Sequence, residues 1–265
     1  MKFDVERPVE YHTIKVDDTV IKVAEPKLCN VPAAYAHAAK QGGRLPSLGE
    51  ASLIRYALFK KNQQDKKGVA RSNEYMRPST IAFNFRNDGS FNIDDPYLTA
   101  FTELSTDAAS LNLVQAGYDA NSNGKEFIVP VKDALICNLI AKAKQEGRVI
   151  PALTASPLEL ATEKINEKSA YGQNKTLIAM FGKVELAELN ASYLSERDRK
   201  TGKVHSFTQK QLEKLLKGKE DHVLVRPCGL GGGNYDGVNA NDYFDSGGWA
   251  WPVVHVGAQN FPQEK

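Results

Sequence analysis

Three short stretches of the sequence contain residues suited to chemistry, and the first could bind calcium. Asp119, Asn121 and Asn123 alternate with small residues ahead of Gly124, which matches the first half of a calcium loop of the form D-x-[DN]-x-[DN]-G. Such loops need oxygen ligands at these positions and glycine where the chain turns. The closing glutamate is absent, because Pro130 stands at its position. A polar hairpin turn is therefore the favoured interpretation, and a weak calcium site is the alternative.

The second stretch is Cys228 with the glycines that follow it. Cysteine can act as a nucleophile, and a Gly-rich loop can bind phosphate. No motif connects any of the five histidines to Cys228, and their spacing fits no zinc site. The residues after the glycines predict neither a helix nor a P-loop, so nucleotide binding is not expected. The sequence predicts no catalytic residue, no metal ligand and no cofactor, and Cys228 is interpreted as a buried or incidental thiol.

The third stretch, residues 227–258, contains no Lys, Arg, Glu, Gln or Met. Tyr and Trp provide rigid contact area, and Asn, Ser and Gly provide adaptable hydrogen bonding, so this composition predicts a binding surface. The alternative is a structural loop that buries Trp249 and Trp251, which share one face of a strand because they are two residues apart. The predicted ligand-binding residues are Asn234, Tyr235, Asp236, Asn239, Asn241, Asp242, Tyr243, Asp245 and His255.

The net charge, the cysteine count and the lengths of the apolar runs exclude several classes of protein. The chain has 265 residues and a formal net charge of +2, which is too small to indicate nucleic acid as a partner. Three cysteines do not form a disulfide framework. No apolar run reaches the length of a membrane span, and the N-terminus lacks the apolar region of a signal peptide. We therefore expect synthesis in the cytoplasm, and display at a cell or virion surface stays open.

The helices and strands that must position these residues do not follow a regular order along the sequence. The spacing predicts helices over 32–41 and 132–147, strands at 10–16, 19–25 and 222–227, and a Ser47–Glu50 capping box that starts a further helix. It also predicts a hairpin across 79–93, a strand pair across 111–131, a helix from Ser156 and a strand at 176–182. Because strands and helices do not alternate regularly, an α+β fold in one domain, residues 1–265, is favoured, with a helical insertion at 150–220.

A resemblance to a family rests on residues 34–60 and 222–257. An Ala-rich helix, Gly43, the sequence Arg44-Leu45-Pro46 and a Ser-capped helix carrying Glu50 resemble the C-type lectin-like fold of formylglycine-generating enzymes. The resemblance implies a C-type lectin-like domain. Those enzymes use a cysteine pair near the C-terminal loop, whereas this chain has Cys228 alone there.

The same fold is similar to that of variable proteins of diversity-generating retroelements. In those proteins, adenine-directed mutagenesis of Asn codons yields residues such as Asn, Tyr, Asp, Ser and Gly, and never Lys, Glu, Gln, Met or Trp. The composition of 227–258 fits this alphabet if Trp249 and Trp251 are fixed. The resemblance implies a non-enzymatic display protein with a hypervariable segment at 227–258 and a macromolecular ligand, most simply a protein. The alternatives are a formylglycine-generating oxidase or degenerate relative using Cys228, and a calcium-dependent sugar-binding lectin.

Overall fold

The computed structural model describes residues 12–16, 19–65, 74–165, 168–231 and 237–254. Within these residues it has fifteen strands and eight helices. The strands are β1 (His12–Val16), β2 (Thr19–Val23), β3 (Lys27–Cys29), β4 (Thr80–Arg86), β5 (Tyr97–Glu103), β6 (Ile128–Pro130), β7 (Val149–Pro151), β8 (Leu158–Ala161), β9 (Lys164–Ile165), β10 (Lys168–Ser169), β11 (Thr201–His205), β12 (His222–Pro227), β13 (Gly229–Leu230), β14 (Gly237–Asn239) and β15 (Gly248–Ala250). The helices are α1 (Val31–Lys40), α2 (Leu48–Asp65), α3 (Ala108–Ser122), α4 (Ala134–Gln145), α5 (Ala170–Gln173), α6 (Lys175–Phe181), α7 (Val184–Glu196) and α8 (Gln209–Leu215).

A five-stranded antiparallel sheet, in the order β6-β12-β4-β5-β7, lies between two apolar layers. Alternate residues of a strand point to opposite faces, and on β4 the side chain of Phe83 joins the cluster around α1, α3 and α4. The side chain of Ala82 joins the other cluster, with α2, α6 and α7. Because both faces are covered, β4 and β12 are buried along nearly their whole length.

A second sheet, in the order β13-β14-β11-β8, brings the C-terminal part of the chain against the 150–220 region. In this sheet β14 runs parallel to β11, while β13 and β8 are antiparallel to their neighbours. A separate pair joins β15 to β3. The C-terminal segment is thus paired with strands from several distant parts of the sequence.

Several predicted elements are confirmed. The helices at 31–40 and 134–145, the β1–β2 pair and the strand β12 are present. Ser47 and Glu50 form the predicted capping box: the Ser47 hydroxyl accepts the backbone N–H of Glu50 at 3.1 Å, and the Glu50 carboxylate accepts the backbone N–H of Ser47 at 2.8 Å. No helix among the described residues is long and apolar enough to cross a membrane.

Other predicted elements were wrong, mostly because tertiary packing outweighed local pattern. The stretch 108–122 is the helix α3, which buries Ser110, Val114, Gly117 and Asn121, a face with too few apolar residues to show helical periodicity. The stretch 175–181 is a helix rather than a strand; it is buried on nearly every side, so it has no periodicity either. Residues after Ser156 pair with β11 as the strand β8 instead of forming a helix. The partner of β4 begins at Tyr97, well beyond the predicted turn at 87–89.

Candidate ligand-binding surface

Within the C-terminal segment, residues 237–250 are attached to the scaffold through their own main chain. The backbone N–H of Ala240 donates to the carbonyl of His205 at 2.7 Å, and that of Trp249 donates to the carbonyl of Tyr75 at 2.7 Å. The carbonyl of Gly247 accepts a bond from the Arg77 guanidinium at 2.9 Å. These attachments use groups that every residue except proline has, so they do not depend on side-chain identity within the segment.

Side chains along 238–245 alternate between the core and solvent: β14 ends at Asn239, and the alternation continues through the bends and the turn that follow it. We call the first set the inward row; it is buried and consists of Val238, Ala240, Asp242 and Phe244. We call the second set the outward row; it is partly or fully exposed and consists of Asn239, Asn241, Tyr243 and Asp245. All four outward residues are among the predicted ligand-binding residues, and of those that the structure describes Asp242 alone lies in the inward row.

Phe244 anchors the inward row in the core. Its ring lies edge-on to Phe127, with centroids 5.7 Å apart. A Cβ atom at Gly117 would lie 2.5 Å from this ring, so the helix α3 needs glycine at its contact with the segment. The backbone N–H of Phe244 donates to Oδ1 of Asn121 at 2.9 Å, and the backbone carbonyl of Phe244 accepts from Val31. Phe244 therefore joins the segment to both α1 and α3.

Asp242 is the charged member of the inward row. It is 9% exposed, its carboxylate is ion-paired with Arg77, and the Tyr75 hydroxyl donates to it at 2.6 Å. Burial, and then the charge of Asp242, raise the pKa of Tyr75 well above its ordinary value. A Cβ atom at Gly248 would lie 2.7 Å from the Arg77 side chain, so glycine there makes room for this cation. Asp242 thus supports the segment from beneath.

Tyr243 is the large aromatic residue of the outward row. It is 45% exposed, and its ring lies on the guanidinium of Arg226, with 4.0 Å between the Arg226 Cζ atom and the ring centroid. Arg226 is itself fully buried and ion-paired with Glu126. A cation beneath an aromatic ring holds it by cation–π attraction. The scaffold therefore restrains this side chain while leaving one face of it open.

The two tryptophans differ in exposure. Trp251 is buried in the core cluster and Trp249, on β15, packs partly buried against the same cluster. Trp249 lies opposite Leu28 of β3 in the antiparallel pair. Both indoles contact the core and hold the end of the segment, but Trp249 is only partly buried and Trp251 lies beyond the end of β15, so the two do not share one face of a strand as predicted.

Four of the predicted ligand-binding residues lie outside the described residues: Asn234, Tyr235, Asp236 and His255. Cys228 is fully buried, and burial raises the pKa of its thiol, which disfavours the reactive thiolate.

Residues 119–124 form neither the favoured hairpin turn nor the alternative calcium loop, because Asp119 and Asn121 lie on the last turns of α3 and Asn123 caps its end. Side chains in this stretch are already engaged locally: Asn121 binds Phe244 and Lys125, and Asp119 accepts a bond from Gln115. No three His, Cys, Asp or Glu side chains within the described ranges are grouped so that they could hold a metal ion.

Sequence reasoning missed the scaffold residues beneath the surface, namely Tyr75, Arg77, Asn121 and Arg226. Tyr75 and Arg77 lie within the polar stretch 62–79, whose composition predicts a loop. Their partner Asp242 lies 167 and 165 positions further along the chain, respectively. A local pattern does not encode such pairs. The glycines at 117 and 248 were the available signal, because glycine in an element often marks a close approach.

Comparison with known proteins gives the fold. No protein-family model and no curated protein matches the sequence. The structure matches a solved structure described with the words "Accommodation of massive sequence variation in Nanoarchaeota by the C-type lectin fold". The TM-score is 0.58 at 12% sequence identity, and the match covers 91% of this chain and 99% of that chain. The chain therefore has an α+β fold of the C-type lectin type.

Proposed function

We propose that this protein is a non-enzymatic display protein whose outward row binds a macromolecular ligand, and that 227–258 is the variable segment of a diversity-generating retroelement. The observation that carries the proposal is the division of labour within 238–245. The outward row consists of Asn, Asn, Tyr and Asp, all of which Asn codons reach by changes at adenine, while the segment is attached through its main chain.

Binding by such a surface follows from the chemistry of its side chains. Tyr243 offers a restrained aromatic face at low entropic cost, and the amides of Asn239 and Asn241 offer donors and acceptors. Asp245 contributes the exposed charge. The C-type lectin fold of a solved structure described in terms of massive sequence variation supports the same proposal. The sealed Cys228 thiol favours this function over an oxidase.

Two matched libraries test the proposal. One randomises Asn239, Asn241, Tyr243 and Asp245 with the codons that adenine-directed mutagenesis gives, and the other randomises the four inward-row positions with the same codons. Both are displayed on yeast and selected against a purified protein such as lysozyme. We expect the outward library to stay folded and to yield specific binders, and the inward library to lose folded display. Equal loss of folding in both libraries would contradict the proposal.

The retroelement is tested separately in the DNA around the gene. We expect a near-copy of the 3′ end that differs from it at adenines, beside a gene for a reverse transcriptase. If the flanking DNA contains neither, the surface is a fixed binding site and the retroelement part of the proposal is wrong.

A further inference from the structure

A cleft of about 250 Å³ opens beside the outward row. Sites for whole small molecules usually measure roughly 300–1,000 Å³, so this cleft has room for one side chain of a larger ligand. Residues of the scaffold and of the segment contribute to it together. Its lining residues are Tyr75, Arg77, Asn239, Asp242, Ser246 and Gly247.

Donors in the floor of the cleft are either engaged by the protein itself or, as with the unpartnered Nε–H of Arg77, buried away from solvent. The Tyr75 hydroxyl donates to Asp242, and the Arg77 guanidinium pairs with the same carboxylate and donates to the Gly247 carbonyl. Arg77 is 1% exposed, so it offers almost no surface to an incoming group. A ligand therefore finds few free donors on the floor.

Acceptors remain open in the same cleft. Oδ1 of Asp242 accepts the backbone N–H of Tyr243 at 2.9 Å and has a second lone pair. The Gly247 carbonyl likewise has a lone pair beyond the one used by Arg77, and the Ser246 hydroxyl lines the wall. The Asn239 amide and the Ser246 hydroxyl can donate as well as accept, so a neutral group that both donates and accepts fits this lining, whereas a carboxylate would face the oxygens of Asp242 and Gly247.

The side chains of a ligand that could donate hydrogen bonds to the cleft differ in charge, and this decides which of them fits. Arg77 neutralises Asp242, so the floor as a whole carries no net charge. A lysine or arginine side chain entering the cleft would lose hydration without gaining a free counter-charge, which is costly. An uncharged donor does not incur this cost.

We propose that the cleft binds one uncharged, hydrogen-bond-donating side chain of a protein partner, the carboxamide of Asn or Gln. The inference deepens the proposed function and rests on it. Tyr75 and Arg77 lie outside 227–258, so this preference combines fixed scaffold residues with Asp242 and Ser246 of the segment. The cleft would set the specificity of one contact while the outward row sets the others.

The test uses three probes of matched size: N-acetyl-glutamine methylamide and its glutamate and lysine counterparts. Each is titrated into the full chain while the backbone amide signals of Asn239, Ser246 and Gly247 are followed by NMR. We expect saturable shifts with the glutamine probe and affinities on the order of tenfold lower for the glutamate and lysine probes. Equal or stronger binding of either charged probe, or no saturable shift with glutamine, would overturn the inference.

Two variants keep this result separate from the proposed function. Ser246→Leu, which places an apolar side chain at the wall of the cleft, should abolish the glutamine response. Glu213→Gln, exposed on α8 and outside both the lining and the outward row, should leave that response unchanged. A failed titration alongside successful selection of binders from the outward library would reject the cleft inference alone, while failure of the library would reject the display function itself.

Discussion

The corner at residues 43–50 and the segment at 237–250 are both attached through main-chain bonds, but their partly exposed side chains differ in role. In the corner, these side chains add strong bonds of their own: the Arg44 guanidinium donates to both oxygens of the Glu50 carboxylate at 2.6 Å, and Glu50 and Ser47 cap the helix α2. In the segment, main-chain groups are bound by the scaffold, and the outward side chains add weaker contacts: Asn239 accepts the backbone N–H of Asn241, and the Tyr243 ring lies on Arg226.

This difference decides where substitutions can accumulate. A change at Arg44 or Glu50 removes bonds that hold the corner together, whereas a change in the outward row removes no hydrogen bond between the backbone of the segment and the scaffold. The inward row resembles the corner, because Phe244 and Asp242 do structural work with their side chains. The boundary between tolerant and intolerant positions therefore runs between neighbouring residues of one strand-like stretch.

The largest effect on the free energy of unfolding is expected at Phe244. Phe244→Ala should lower the free energy of unfolding by roughly 4 kcal/mol, because it removes a fully buried ring and leaves a cavity against Gly117 and Phe127. Urea unfolding followed by circular dichroism measures this, with Tyr243→Ala as the adjacent control. A loss below about 1 kcal/mol at Phe244 would break the distinction between the rows.

A slightly smaller loss is expected at the buried ion pair. Asp242→Ala should cost about 3 kcal/mol, because it leaves the Arg77 charge buried without its partner. Asp245→Ala, three positions along and exposed, is the matched comparison and should change the stability by less than about 0.5 kcal/mol. Similar melting temperatures for the two variants would show that the Arg77 pair does not support the segment.

The corner should respond to pH through the carboxylate of Glu50. Burial raises the pKa of Glu50, but bonds from Arg44 and Ser47 outweigh burial and hold the pKa below its ordinary value of 4.5. Glu50 therefore stabilises the fold above that value and loses its contribution as the pH falls through the lowered pKa. Glu50→Gln should cost about 1 kcal/mol at pH 7, and the difference from the parent should shrink on acidification. A difference that stays constant with pH would exclude the carboxylate as its source.

The smallest effect is expected at Asn241. Asn241→Ala should change stability by less than about 0.5 kcal/mol, because the bond made at this position uses its backbone N–H, which donates to Asn239 Oδ1 at 2.9 Å. Differential scanning calorimetry measures the change, and Asn239→Ala, which removes that acceptor, is the companion variant. A large loss at Asn241 alone would show a structural role for its amide.

Sequence reasoning predicted the fold class and included all four outward-row residues among the predicted ligand-binding residues, because both features leave a local signal in the sequence. The capping box at Ser47, the strand that ends at Pro227 and the restricted alphabet after it can be read without any partner. The helix α3 left no such trace, since its buried face includes Gly117 and Asn121 rather than apolar residues. Its face is explained only by Phe244, more than a hundred positions away.

The composition of 227–258 also could not separate Asp242 from Asp245. Both belong to the same restricted set of residue types. They differ only because buried and exposed positions alternate along the segment, which turns Asp242 toward Arg77. Which Asp is structural depends on the register of the segment, and that register is fixed by long-range contacts at Ala240 and Trp249. The cleft depends on the same contacts and was equally out of reach.

Amide hydrogen exchange in a quadruple variant tests the central claim most directly. The variant replaces Asn239, Asn241, Tyr243 and Asp245 with Ser, and the protection of the Ala240, Phe244 and Trp249 amides is compared with the parent. Because these amides donate to His205, Asn121 and Tyr75 of the scaffold, we predict unchanged protection. Loss of protection at all three would show that the outward side chains hold the segment, and would contradict attachment through the main chain.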